Sequence, residues 1–174
     1  MGFGDIGKAV ARLAKAYGMH VLALGRRRPD VTLADESFDV SQLYNVLGRS
    51  DYVVLATPLT PATDRMMGLA EFQAMKKDSV FINVGRGPTV DEQGLIETLK
   101  SGPLKGAGLD VFYEEPLPST SELWSLDNVL LSPHNMDQTE TFMHESTEFF
   151  CREQLPRFAR GLPLYNAVDH ESGY

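Results

Sequence analysis

The chain has 174 residues and a formal net charge of −8, with 43% apolar and 23% charged residues. That balance describes a globular chain able to bury a core, and its acidic excess argues against a general nucleic-acid or anionic-membrane partner. No apolar run approaches the ~20 residues of a membrane span, and no secretory signal opens the chain. A single cysteine, Cys151, excludes an internal disulfide and any cysteine-based zinc site, so a reducing, cytoplasmic setting without a bound metal is expected. Cys151 itself reads as a buried, inert thiol.

The first seven residues, Met1-Gly2-Phe3-Gly4-Asp5-Ile6-Gly7, carry glycines at the spacing of a dinucleotide-binding turn. The first glycine permits a tight turn, the second lets main chain approach a pyrophosphate, and the third lets a helix sit close to a strand. Ile6, Val10, Leu13, Ala14 and Tyr17 recur at helical spacing, and Gly18 is a natural stop. Residues 21–24 form a short apolar strand, ended by Gly25-Arg26-Arg27-Arg28-Pro29 and followed by a polar loop to Val40. Ser41 is placed to cap a short helix through Leu47.

Further along, 52–56 is a continuous apolar strand stopped by Thr57-Pro58, 69–75 a helix and 79–84 a strand. Asp91-Glu92 opens a helix to about Ser101, 106–111 and 128–131 are strands, and a long helix runs from 138 to about 155. Pro156, which lacks an N–H, should break or kink that helix, with Gly161 and Pro163 ending it. His20, His144 and His170 read as structural or surface residues.

Apolar strands alternating with helices predict an α/β domain, a doubly wound parallel sheet of Rossmann type. The motif requires a strand before Gly2, and only Met1 precedes it, so the sheet is expected to lack its first strand. Ligands of such folds lie outside the carboxyl ends of the strands. Gly85-Arg86-Gly87, Asp110 with Glu114-Glu115-Pro116, and Ser132-Pro133-His134 all follow strands. A guanidinium suits bidentate binding of a carboxylate, and a histidine can move a proton to or from a carbonyl oxygen. A neighbouring carboxylate favours the protonated histidine. Together with hydride from a nicotinamide, the set points to reversible reduction of a 2-oxo acid.

The combination GFGDIG at 2–7, DYVVLATPLTPAT at 51–63, FINVGRGPTVDE at 81–92, GLDVFYEEP at 108–116 and LSPH at 131–134 resembles the NAD(P)-binding domain of the D-isomer-specific 2-hydroxyacid dehydrogenases. That family includes glyoxylate/hydroxypyruvate reductases and phosphoglycerate dehydrogenases. The resemblance implies that Arg86 binds substrate, Glu115 pairs with the catalytic histidine and His134 is that histidine. It places Gly2, Phe3, Gly4, Asp5, Ile6, Gly7, Thr57, Pro58, Thr63, Val84 and Gly85 around the cofactor, with Asp110 on the nicotinamide carboxamide. It also implies a small 2-oxo or 2-hydroxy acid substrate and, in full-length form, a homodimer.

Three departures stand out. The acidic residue that ends the second strand of NAD-using members is Gly25 here, followed by Arg26, Arg27 and Arg28, which favours a 2′-phosphate and hence NADP(H), with NAD possible. Asn135-Met136-Asp137 replaces the small residues usual after the histidine. The family's substrate domain is not represented, so the chain is expected to be an N-terminally truncated product. Its nucleotide-binding domain would span 1–166 with a tail at 167–174. The helix at 138–155, with Phe142, Phe149 and Phe150, and Phe158 beyond it, would present apolar surface to the absent partner. Two alternatives accompany this reading: a nucleotide-binding module that does not catalyse, and an inactive truncated fragment.

Overall fold

The computed structural model describes residues 1–26 and 31–169, with Val31 described by its main chain alone. Strand pairing between residues 22 and 131 is parallel throughout. Helix α1 (Asp5–Ala16) follows the glycine turn and ends at Tyr17, with Gly18 at φ +73°, a left-handed geometry that glycine adopts without steric penalty. Strands β1 (Leu22–Gly25) and β2 (Glu36–Asp39) form one ladder.

Strand β2 corrects the loop expected as far as Val40. Its sequence, Glu-Ser-Phe-Asp, has one apolar residue in four, so hydrophobic periodicity could not reveal it. The helical cap is corrected as well: the Asp39 carboxylate, not Ser41, accepts the Ser41 N–H at 2.9 Å, opening the turn Val40–Gln42 and then α2 (Leu43–Leu47).

The second ladder is β3 (Tyr52–Leu55), β4 (Ser79–Asn83), β5 (Leu104–Leu109) and β6 (Val129–Leu131), in that order. Helices α3 (Leu69–Gln73) and α4 (Glu92–Ser101) lie between β3 and β4 and between β4 and β5 in sequence, as expected from the pattern. Among the described residues no strand pairs with both β1 and β3. Met1 and Gly2 bridge the ladders: Gly2 N–H donates to Leu24 O at 2.9 Å, the Met1 amino group to Val54 O at 2.7 Å, and Ala56 N–H to Met1 O at 2.8 Å.

The core gathers Leu55, Met67, Phe72, Phe81, Leu95 and Leu123, each at most 1% exposed, with Phe72 and Phe81 edge-to-face at 5.0 Å. Burying such side chains supplies the main favourable term for this unit, at ~1.5–3 kcal/mol for each large apolar residue.

The chain divides into two compact units, Met1–His134 and Asn135–Tyr174. In the second, the expected long helix is three consecutive pieces: α5 (Phe142–Phe149), a π-helical stretch Phe150–Gln154, and α6 (Leu155–Ala159). At Pro156 the helical path does not end, but the regular α ladder gives way to a π turn just before it. The proline occupies the first turn of α6, where a missing N–H is tolerated, directly after the widened π turn. The segment after α6 folds back on it: Arg157 Nε donates to Pro163 O at 2.6 Å, and its guanidinium lies 4.1 Å from the Tyr165 ring centroid. Phe150 and Phe158 are 56% and 73% exposed, in line with the apolar surface expected there. Cys151 is exposed, which corrects the expectation of a buried thiol.

Candidate active site

Because the strands are parallel, every segment that follows one emerges at the same edge. The glycine turn lies there. Gly2 has φ +79°, and a Cβ on it would stand 2.6 Å from Ala56 O; a Cβ on Gly7 would stand 2.1 Å from Gly2 O. Those two glycines are therefore required by close main-chain contacts. Gly4 differs: a Cβ there meets nothing within 4 Å, and as the N-cap of α1 it makes no side-chain cap. Open space faces the uncapped N–H groups of a 12-residue helix, so the turn fits a dinucleotide pyrophosphate. Phe3 is half-buried and Ile6 is 53% exposed on this segment.

Beyond β3, Thr57 presses its main chain against Gly85, where a Cβ would lie 2.6 Å from Thr57 O. The loop closes through Thr63, whose hydroxyl donates to Pro58 O at 2.6 Å and accepts the Thr60 N–H at 2.8 Å. Thr57, Pro58 and Thr63 thus belong to one folded loop beside the turn. After β4, Val84 N–H donates to Leu55 O, and Arg86 leaves the sheet between two glycines. Arg86 Nη1 donates to Gly85 O at 2.7 Å.

Glu115 and His134 meet, with His134 Nδ1 2.7 Å from Glu115 Oε2. The other carboxylate oxygen, Oε1, accepts Phe112 N–H at 3.0 Å. Partial burial works to raise the Glu115 pKa, but the His134 and Phe112 hydrogen bonds and the Arg86 charge outweigh it and hold the group below its ordinary value. Glu115 is therefore a carboxylate at neutral pH, and His134 donates its Nδ1–H to it, leaving Nε2 for other partners. Asp110 is buried and accepts the Ser132 hydroxyl at 2.5 Å, while His134 N–H donates to Ser132 O at 3.0 Å. Among the described residues no group of three or more His, Cys, Asp or Glu is placed to hold a metal ion.

The model of the D-isomer specific 2-hydroxyacid dehydrogenase NAD binding domain matches residues 1–135. The chain belongs to this family. Glyoxylate reductase of Pyrococcus furiosus is 41% identical over 161 residues, 92% of this chain and 47% of that protein. Glyoxylate/hydroxypyruvate reductase B of an Enterobacter species is 45% identical over 136 residues, 77% of this chain and 42% of that protein. Among solved structures, a D-isomer specific 2-hydroxyacid dehydrogenase of Xanthobacter autotrophicus in complex with NADPH and MES superposes with TM-score 0.91 at 36% identity, covering 99% of this chain and 70% of that one. The NADPH-dependent glyoxylate/hydroxypyruvate reductase of Sinorhizobium meliloti with NADP and sulfate gives 0.91 at 35% identity, covering 100% and 55%. The chain spans about half the length or less of these curated relatives.

In this 2-hydroxyacid dehydrogenase domain, the predicted residues from Gly2 to Gly7, Thr57 to Thr63, Val84 to Arg86, Asp110 and the Glu115–His134 pair all follow strands or the turn at one sheet edge. Arg26 directly follows β1 there, whereas Arg27 and Arg28 lie outside the described residues, as does His170. Three further residues support the site without having been singled out in the sequence. Asn83, Thr89 and Ser132 hold Arg86, Arg86 and Asp110 respectively. The one available signal was a polar residue closing an otherwise apolar strand, as Asn83 does.

Proposed function

We propose that this chain is the nucleotide-binding part of an oxidoreductase that interconverts a small 2-oxo acid of the glyoxylate or hydroxypyruvate kind and its 2-hydroxy acid, with NADP(H) preferred over NAD(H). The observation that carries the reading is the 2.7 Å His134–Glu115 pair at the edge that also holds the glycine turn and Arg86. The cofactor would lie along residues 2–7, Thr57, Pro58, Thr63, Val84, Gly85 and Asp110, with Arg26 and Arg27 near a 2′-phosphate. When bound, it supplies or accepts the hydride.

The chain's own groups do the rest. Arg86 clamps the substrate carboxylate and so orients the adjacent carbonyl. His134, held through Nδ1 by the Glu115 carboxylate, delivers a proton from Nε2 to the carbonyl oxygen, or removes it from the hydroxyl in reverse. The Glu115 carboxylate, 2.7 Å from Nδ1, fixes the ring so that Nε2 is the nitrogen turned to the substrate. The names of the similar reductases and the NADPH and NADP of the neighbouring structures support substrate class and cofactor alike. The same reading assigns residues 1–166 to the nucleotide-binding domain and 167–174 to a tail, with cytoplasmic homodimers in the full-length form.

The test is a fluorescence titration with NADPH and NADH, followed by NADPH oxidation in the presence of glyoxylate or hydroxypyruvate. Binding that prefers NADPH, with turnover that falls ~10²–10⁴-fold in His134→Ala, is expected. Turnover unaffected by that substitution overturns the assignment of His134. Binding with turnover absent even in a full-length form favours a non-catalytic nucleotide module instead.

A further inference from the structure

We propose that Asn83 and Thr89 are positioning residues that fix the main chain from which the Arg86 guanidinium projects, an inference that rests on Arg86 binding the substrate carboxylate. Asn83 ends β4 and is 1% exposed; Thr89 is fully buried. Asn83 Oδ1 accepts Gly85 N–H at 3.0 Å, and its Nδ2 donates to Arg86 O at 3.2 Å. Thr89 donates to the same carbonyl twice, from its hydroxyl at 2.5 Å and its N–H at 3.2 Å. Three donors thus converge on one oxygen. The Asn83 carbonyl accepts Asp110 N–H at 3.1 Å, which ties this loop to the exit of β5.

The loop is pinned sterically as well. A Cβ on Gly85 would stand 2.6 Å from Thr57 O, and one on Gly87 would stand 1.7 Å from Phe112 O. Main chain on either side of Arg86 is therefore packed directly on main chain of two other segments. The side chain needs such a base. An arginine side chain is long and rich in rotamers, so a clamp on this residue gains precision only if its origin does not move. A displacement of about 1 Å at a reacting centre lowers rates on the order of 10²-fold. The Nη1 bond to Gly85 O then sets the first direction of the guanidinium from that fixed origin.

Thr89→Val keeps the shape and deletes the hydroxyl, and Thr89→Ser keeps the hydroxyl. The probe is oxamate, an unreactive isostere of a small 2-oxo acid, added to the NADPH-loaded chain. Thr89→Val is expected to weaken oxamate roughly 5–20-fold, the loss of one buried hydrogen bond, while NADPH affinity stays within about twofold. Thr89→Ser restores oxamate binding, and in an Arg86→Ala background Thr89→Val has no further effect on it. Oxamate affinity unchanged by Thr89→Val, or lowered equally without Arg86, overturns the inference and leaves Thr89 a purely structural residue.

If the wild-type chain binds NADPH but not oxamate, the substrate reading of Arg86 fails. The positioning of Arg86 is then decided by its Nε–Hε resonance in 15N-labelled chain. That signal is expected to be restrained in the wild type and Thr89→Ser and averaged in Thr89→Val; equal restraint in all three overturns the inference.

Discussion

Replacing Gly87 by alanine puts the steric account of the Arg86 loop at risk. The new Cβ would lie 1.7 Å from the Phe112 carbonyl oxygen, 1.9 Å from its carbon and 2.6 Å from Tyr113 N, all of them main-chain atoms. Ordinary contacts between heavy atoms are roughly 3.5 Å, so the two segments must part by on the order of 2 Å. Overpacking of this kind costs ~1–3 kcal/mol, and a rigid main-chain neighbour places it at the top of that range. Phe112 also donates its N–H to Glu115, and losing that bond adds about 1 kcal/mol. The stiffer unfolded chain returns about 0.4–1 kcal/mol. The net is a loss of ~3 kcal/mol, or roughly 1.5 M in the urea midpoint at a slope of about 2 kcal/mol/M. Gly108→Ala is the control, because its Cβ would meet only Ile82 side-chain carbons at 3.8 and 4.0 Å. Its midpoint should stay within about 0.5 M of the wild type. Urea unfolding followed by circular dichroism decides the matter. A Gly87→Ala midpoint within that same margin, or equal losses in both variants, would refute the contact argument.

Three other outcomes are expected. Phe72→Ala removes a ring with no exposure that packs edge-to-face on Phe81, and unfolding should show a loss of ~3–5 kcal/mol. Asp39→Ala deletes the cap that receives Ser41 N–H and should cost ~0.5–2 kcal/mol by the same measurement, more than Ser41→Ala. The folded Glu115 pKa lies below its ordinary 4.5, so its stabilisation is complete above that value and is lost as pH falls through the lower, folded value. Urea midpoints from pH 7 to pH 3 should therefore show wild type and Glu115→Gln converging on acidification; a constant gap would contradict the carboxylate's part in the pair.

Periodicity made the fold legible where burial is one-sided or complete. The apolar runs became β1 and β3 to β6, and the glycine turn was followed by the helix expected of it. It failed at β2, whose buried residue is Ser37 and whose pairing with β1 is a matter of main-chain hydrogen bonds that carry no side-chain signature. At Pro156 the expected disturbance takes the form of a π turn just before it, which lets the helical path continue where a regular ladder would clash. In the site, Arg86, Glu115 and His134 were legible through their motifs. Asn83 and Thr89 were not, since their role depends on the path of a loop that brings one carbonyl between them.

His134 stands at φ +52°, a left-handed geometry in a residue with a Cβ. Such a conformation costs roughly 1–2 kcal/mol, and glycine or asparagine would occupy it more comfortably. On the role proposed for His134, folding and chemistry thus prefer different residues at this position. A library of variants selected for thermal endurance alone would therefore drift away from histidine at 134, and with it from the proton transfer proposed for that side chain.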